Sequence, residues 1–521
     1  MSSRLLATLV AGSMACALTG AGLMWSASAG ASTGRRAADS TTAANGHAGV
    51  GWGGTGAAPT WSTGSGLATG DPRHVRQPSV PPPCRFVPAQ LSTSNGTFSA
   101  QDESNPPDTQ RIQSALDACA GTGRSVVLVP RWGQDAFLSG PLTVNQREVL
   151  VVAGGATLYA SLNPAAYQIP GSTTCGTISG DGNGCVPFID LAGSHSGVMG
   201  TRGPRSSMGE IDGRGQMNML GSTLSWWGLA EEAKSGGNQN NPKLIQSDGA
   251  NDLTIADIEL ANSPMYHVLI QNGRGLTVWG IVVDTPAAGA RNTDGVDPLS
   301  ESDVTIAHNF LQDGDDCIAI KSNPGLISSN ITVEDNDCYG THGISIGSQT
   351  AGGINNILVR DDTINGYDSL GNESTSNNGI RIKSDALYGG VTQRVTYHNI
   401  CETGVENELY FNPFYAAGGT SIPMFTDIVV NGVFAVNSPK KSDGTFDGSS
   451  LFQGYDANHL SNLDLENISL DNTTQTASDA NIGLYNSNIV PSGPNVTVTP
   501  IHAWGQIPTC SFPAFTYPPV Q

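Results

Sequence analysis

The chain has 521 residues, with 45 Asp and Glu against 24 Lys and Arg, for a formal net charge of −21. That balance excludes a nucleic-acid binder, whose phosphates need a basic face, and it admits a polyanionic partner only where cations gather within a Debye length. With 65 Gly and 13% charged residues, the composition suits turn-rich coils with polar, uncharged surfaces.

The N-terminus carries Arg4, a Gly/Ala-rich apolar run from Leu5 to Trp25, and then Ala27-Ser28-Ala29, a small-x-small cleavage pattern. Residues 1–29 therefore predict a signal peptide and a secreted protein. An uncleaved membrane anchor is the competing reading, since the run is about long enough to span a bilayer. Cys16 suggests a lipoprotein site, but Ser13-Met14-Ala15 before it matches poorly. Residues 30–83 are Gly, Ser, Thr, Ala and Pro with few bulky apolar side chains, so they predict a disordered linker. Residues 84–521 predict a single domain.

One helix is expected, over Thr109 to Ala118, where Ile112, Ala115 and Leu116 share a face behind Asp108 as N-cap. It would cover the open end of a solenoid, which otherwise exposes apolar side chains and strand edges. Beyond it, short β-rich runs such as SVVLVP, LTIADIEL, LTVWGIVV, VTIAHNF and ILVRDDTI are separated by Gly, Asn and Asp. They recur at roughly one coil's length and alternate with turns rather than helices. The expected fold is all-β: a single-domain right-handed parallel β-helix with a short N-terminal capping helix. An antiparallel sandwich is the alternative, but it gives no reason for polar clusters to advance by a coil.

Four such clusters lie between Asn292 and Lys383: NTDG at Asn292 to Gly295, GDD at Gly314 to Asp316, THG at Thr341 to Gly343, and RIK at Arg381 to Lys383. The gaps from Asp294 to Asp315 and from Asp316 to His342 are each about one coil, so the clusters stack into one patch. Period-two alternation puts Ile318 and Ile320, Ile344 and Ile346, and Ile380 and Ile382 inside; Arg381 and Lys383 project together from the other face. Asp315 and Asp316 can serve one site only if the chain bends there, and Gly314 supplies the freedom to bend. Singly, each cluster has a plainer reading: turn chemistry for NTDG and GDD, a satisfied histidine for His342, a solvated strand for RIK. DGDD also resembles a calcium loop but lacks the remaining ligands.

Jointly and in this order, the four motifs resemble the signature of the polygalacturonases, the pectin-hydrolysing glycosidases. The resemblance extends from roughly Pro106 to Tyr415 and includes DTQRIQSALDAC, GEIDGRG and NSPMYHV. It departs at Thr341, where the family usually has glycine, which questions a tight backbone approach there. By resemblance Asp315 is the general acid, and Asp294 and Asp316 hold and deprotonate the water of an inverting hydrolysis. His342 adjusts the acid's protonation, Arg381 and Lys383 bind the substrate carboxylate, and Tyr415, with Tyr410 as competitor, contacts the sugar. Asn292 shares a face with Asp294 and would orient it or bind sugar.

Nine cysteines leave eight after signal removal, an even number that suits an oxidising compartment. Cys175 and Cys185 flank a Gly-rich loop and pair. Cys317 and Cys338 match a disulfide position of the family and would pin two neighbouring coils. Cys84, Cys119, Cys401 and Cys510 leave three pairings open, the first two with each other and the last two with each other being preferred. The resemblance implies a monomer acting on polygalacturonate or pectin without cofactor or metal, and without stable membrane contact after cleavage. Rhamnogalacturonan hydrolase, exo-acting galacturonosidase, calcium-dependent pectate lyase and a non-catalytic carbohydrate-binding β-helix are the alternatives.

Overall fold

The computed structural model describes residues 67–203 and 207–516; the expected signal peptide and residues 30–66 of the expected linker lie outside them. The rest of that linker is not free chain. Leu67–Gln521 form one unit, and its first residues run across successive coils. The Ala68 N–H donates to Thr396 Oγ1 at 2.9 Å, the Asp71 N–H to Thr332 Oγ1 at 2.9 Å, and Thr305 Oγ1 to Asp71 Oδ2 at 2.7 Å. Arg73 donates to the carbonyls of Gly275 and Leu276. Residues 67–83 therefore pack with the coils, because threonine hydroxyls projecting from the coils satisfy the segment's polar groups and Val75 packs against the apolar cluster around Val149 and Trp279.

The chain winds as a parallel β-helix. Each central circuit gives one strand to an 11-stranded sheet and two to a 22-stranded sheet, every pairing in both being parallel, as in Val268↔Val296 and Thr277↔Thr305. Runs read as single strands divide at corners in the left-handed region: Thr254–Ala256 from Ile258–Ala261 at Asp257 (φ 53°), and Thr277–Trp279 from Val282–Asp284 at Gly280 (φ 64°). Asn and Asp tolerate that region through short polar side chains. At one row of corners these side chains also link coil to coil, Asn356 donating to Asn330 at 2.8 Å and Asn330 to Asp303 at 2.9 Å.

Inside, one continuous apolar cluster runs through the coils, with Ile318, Ile320, Ile344, Ile346, Ile380 and Ile382 all buried in it. Helix α1 is Ala100–Ser104 and helix α2 is Thr109–Cys119, whose Ile112, Leu116 and Cys119 join the same cluster. Asp108 stands at the start of α2 but does not cap it. Its carboxylate instead accepts the Leu138 N–H at 2.9 Å and pairs with Arg111, since a strand beside it offers a buried donor. A further helix not anticipated from the sequence, α3 (Trp226–Glu232), buries Trp226 and Trp227. Disulfides join Cys84 to Cys119, Cys175 to Cys185, Cys317 to Cys338, and Cys401 to Cys510. The third does not bridge two coils. Cys317 opens a circuit and Cys338 lies in the strand Asp337–Tyr339 that closes it, so the bond fastens one circuit to itself.

Candidate active site

Four adjacent strands of the smaller sheet carry the predicted clusters: Val296–Leu299, Ile318–Ser322, Ile344–Thr350 and Asn378–Lys383. Their register aligns Val296 with Ile318, Ile318 with Ile344, and Ile344 with Ile380. Asp294, Asp316 and His342 each stand two residues before an aligned position, so they stack directly. Asp315 precedes Asp316 on the bend at Gly314–Asp315 and reaches the same cleft. Gly314 has ordinary φ; what it supplies is space, because a Cβ there would lie 2.2 Å from the Ala290 carbonyl oxygen. Glycine's conformational freedom is used instead at Gly343, with φ 85°. Thr341 fits beside it, buried, and its hydroxyl accepts the Gly343 N–H at 3.2 Å.

The cleft, about 440 Å³, is lined by Asn292, Asp294, Asp315, Asp316, His342, Arg381, Lys383 and Tyr415, and by Lys234, Tyr266, Arg291 and Lys321. Asp316 is the most enclosed of the three acids: Arg381 Nη2 contacts its Oδ1, Ser345 Oγ donates to the same oxygen at 2.8 Å, and Lys383 Nζ donates to Oδ2 at 2.7 Å. Asp315 has Oδ1 3.0 Å from His342 Nδ1 and accepts at Oδ2 from Asn292 Nδ2 at 3.2 Å. Asn292 therefore orients Asp315, not Asp294, because its own φ of 58° turns it off the strand's alternation. Asp294 accepts from Lys321 at Oδ2, 3.1 Å, and its Oδ1 is buried with no hydrogen-bond partner. Tyr415 is half exposed, its ring 5.1 Å from Lys383 Nζ. Tyr410 sits in register with Arg381 but does not line the cleft.

The electrostatics separate the three carboxyls. Burial would raise Asp315, but His342, then Lys383 and Arg381, outweigh it and hold the group well below the usual carboxylate range. Asp316 is likewise held low, burial being overcome by Arg381 and Lys383. Asp294 goes the other way: burial and then Asp297 push it well up, against the pull of Lys321. The three carboxyls are thus pushed apart, Asp294 upward and Asp315 and Asp316 downward, the reverse of the order that the roles implied by resemblance would suggest. Asp315, Asp316 and His342 offer ligand atoms within 4.8 Å of one another. A dication among them would compete with Arg381 and Lys383, already on Asp316, so the donor set favours organic cations over a metal.

Several lining residues escaped the sequence reading. Lys321 follows Ile320 as Lys383 follows Ile382, so the alternation applied to RIK would have found it. Arg291 directly precedes NTDG. Buried His267, with Nδ1 3.0 Å from the Thr293 carbonyl and Nε2 2.9 Å from Thr285 Oγ1, supports the loop carrying Asp294; burial lowers it to about 4, so it stays neutral. Thr293 in turn accepts the Gly314 N–H at 2.9 Å, tying the first cluster to the second.

Residues 157–488 match the model of glycosyl hydrolases family 28. The chain belongs to that family. It is 35% identical to a polygalacturonase of Ralstonia solanacearum over 77% of this chain and 80% of that protein. It is equally 35% identical to an endo-polygalacturonase of Pectobacterium carotovorum subsp. carotovorum, over 69% and 81%. Among solved structures, a polygalacturonase from Erwinia carotovora ssp. carotovora superposes with a TM-score of 0.64 at 30% identity, covering 82% of this chain and all of that one. This family 28 chain is accordingly a glycoside hydrolase, and the resemblance read from its four motifs is borne out.

Proposed function

We propose that the protein is a secreted polygalacturonase that hydrolyses α-1,4-galacturonosidic bonds of de-esterified pectin by an inverting general acid/base mechanism. One observation carries the reading: three aspartates converge in a cleft whose lining has Lys234, Arg291, Lys321, Arg381 and Lys383 against Glu231, Asp294, Asp315 and Asp316. A chain with a net charge of −21 thus gathers five cations in one cleft, where a polyanion would lie. The names of its relatives support the same substrate.

Asp315 is the proton donor in this reading. Its side chain is 14% exposed, against 4% for Asp294 and 1% for Asp316, so it is the carboxyl a leaving oxygen can reach. His342 stands beside it, with Nδ1 3.0 Å from Asp315 Oδ1. Substrate carboxylates entering the cleft offset the cations that depress Asp315, which raises the group towards carrying the proton it donates. Asp294, with one oxygen unpartnered, and Asp316, fixed by two cations, are the groups that hold and deprotonate the water.

Incubation with polygalacturonate in the presence of chelator tests the reading. Reducing ends should accumulate without near-ultraviolet absorbance from unsaturated products. A calcium requirement with absorbing products would mean elimination, and cleavage only of rhamnose-containing pectin would reassign the substrate. Internal cleavage is expected, so early products should be oligomers; monomer alone would make the enzyme exo-acting.

A further inference from the structure

Asp297 and Lys321 have no part in the scheme above, yet they are built into the cleft's floor. Asp297 lies on the strand beside Asp294 and is fully buried. Lys321 projects from the next coil with its Nζ between two carboxylates, 2.5 Å from Asp297 Oδ2 and 3.1 Å from Asp294 Oδ2, and 4.8 Å from the centre of the Tyr266 ring. One ammonium is thus shared by two acids. Each acid keeps an Oδ1 that is buried and unpartnered. In the same outward row Lys383 stands two coils on, beyond Gly347 in the strand between, so the two lysines anchor opposite sides of the cleft: Lys321 on Asp294, Lys383 on Asp316.

We propose that Lys321 is a positioning residue for Asp294: it fixes one carboxylate oxygen, leaves the other unpartnered for the reacting water, and sets the carboxylate's ionisation in competition with Asp297. The proposal rests on the hydrolase reading above and deepens it. Its basis is charge balance at fixed geometry. Asp294 faces Asp297 on the strand that follows it, Asp313, Asp315 and Asp316 on the following turn, and Tyr266 on the preceding coil, with neutral His267 beneath its loop. Arg381, Lys383 and His342 are engaged with Asp316 and Asp315. Among the described residues Lys321 is therefore the cation in contact with Asp294. Without it, a carboxyl surrounded by anions takes up a proton and its side chain loses its tether.

The test is the pH profile of kcat/KM on polygalacturonate for wild type, Lys321→Met, Lys321→Arg and Asp297→Asn. With Asp294 as base, its titration sets the acid limb. Lys321→Met should move that limb up by about 1–3 pH units, the range for loss of a contacting opposite charge. Asp297→Asn should move it down by about one, since Lys321 is then undivided. Lys321→Arg should restore the wild-type limb, as the charge is retained. A residue that merely supports the fold would lower activity at every pH and shift nothing. If Lys321→Met fails to fold, the direction of the Asp297→Asn shift decides. Unmoved limbs, or shifts of the same sign in Lys321→Met and Asp297→Asn, overturn the proposal. Opposite shifts confined to the alkaline limb would uphold Lys321's control of Asp294 and overturn the assignment of Asp294 as base.

Discussion

His342 Nδ1 lies 3.0 Å from Asp315 Oδ1, and the other ring nitrogen is 2.9 Å from Thr375 Oγ1. The imidazole is thus oriented from both sides, and Asp315 has a neighbour able to lend or take a proton without moving.

That pairing makes Asp315→Asn the most direct test of the acid. The amide keeps the shape and the hydrogen bond from Asn292 but has no proton to give. The expected loss in kcat is 10²–10⁴-fold, the usual contribution of a general acid, with the dissociation constant for oligogalacturonate changed little. Turnover within a few-fold of wild type would remove Asp315 from the mechanism.

Stereochemistry is the second prediction. Asp315 and Asp316 have oxygens within 4.8 Å of one another, closer than the roughly 6.5–9.5 Å of ordinary inverting pairs. We nonetheless expect inversion, because Asp316 has both oxygens committed to Arg381, Ser345 and Lys383 and is poorly placed to attack carbon. Proton NMR of the first product should therefore show the β-anomer. An initial α-anomer would make one aspartate a nucleophile.

The stack of isoleucines, the resulting coil register and the meeting of the three aspartates were legible in the sequence, because period-two alternation and a repeat are one-dimensional patterns. Partners were not. Alternation says that Arg381 and Lys383 share a face, yet it is silent on Asp316, which reaches them from two coils away. Asn292 looked like a neighbour of Asp294 until its left-handed backbone turned it to Asp315. The segment from Leu67 reads as linker because its composition has few bulky apolar residues; its anchors are the hydroxyls of Thr305, Thr332 and Thr396 and the apolar seat of Val75, all formed by residues distant in sequence.

A third prediction concerns stability. Glu301 is buried, accepts the Gly273 N–H at 2.6 Å, and has Oε2 without a partner; burial raises its carboxyl from 4.5 to about 8. The folded chain therefore keeps a proton that the unfolded chain releases above about pH 4.5. Its contribution is full below that value and is lost as pH rises through about 8. Glu301→Gln should remove the dependence, gaining on wild type by up to ~1.4 kcal/mol per pH unit across that window. Thermal unfolding at both ends of the window measures it, and a constant difference in Tm would mean that Glu301 does not hold the proton.

The last prediction separates Arg381 from Lys383, which the sequence treats alike. Arg381 has all three nitrogens engaged: Nε donates to Ser345 Oγ at 2.9 Å, Nη2 is on Asp316, and Nη1 lies 3.3 Å from Ser376 Oγ. Lys383 makes one hydrogen bond, to Asp316, and has the Tyr415 ring 5.1 Å away, so its ammonium retains protons for a ligand. Removing either leaves Asp316 short of a partner, and loss of one member of a buried pair costs about 3–5 kcal/mol. Lys383, held by one hydrogen bond where Arg381 is held through three nitrogens, is the freer to turn to the galacturonate carboxylate, a contact contributing about 1.5–3 kcal/mol. Methyl esterification abolishes that contact and nothing else. Arg381→Ala should therefore lower kcat/KM by the same factor on polygalacturonate and on highly methylated pectin. Lys383→Ala should lose roughly ten- to a hundredfold more on polygalacturonate than on the ester, narrowing the preference for de-esterified substrate. If the two variants behave alike with equal losses on both substrates, the cations serve Asp316 only and the carboxylate is read elsewhere, with Arg291 and Lys234 the remaining cations along the cleft. If instead Arg381→Ala shows the larger bias, the guanidinium must leave Asp316 when substrate binds.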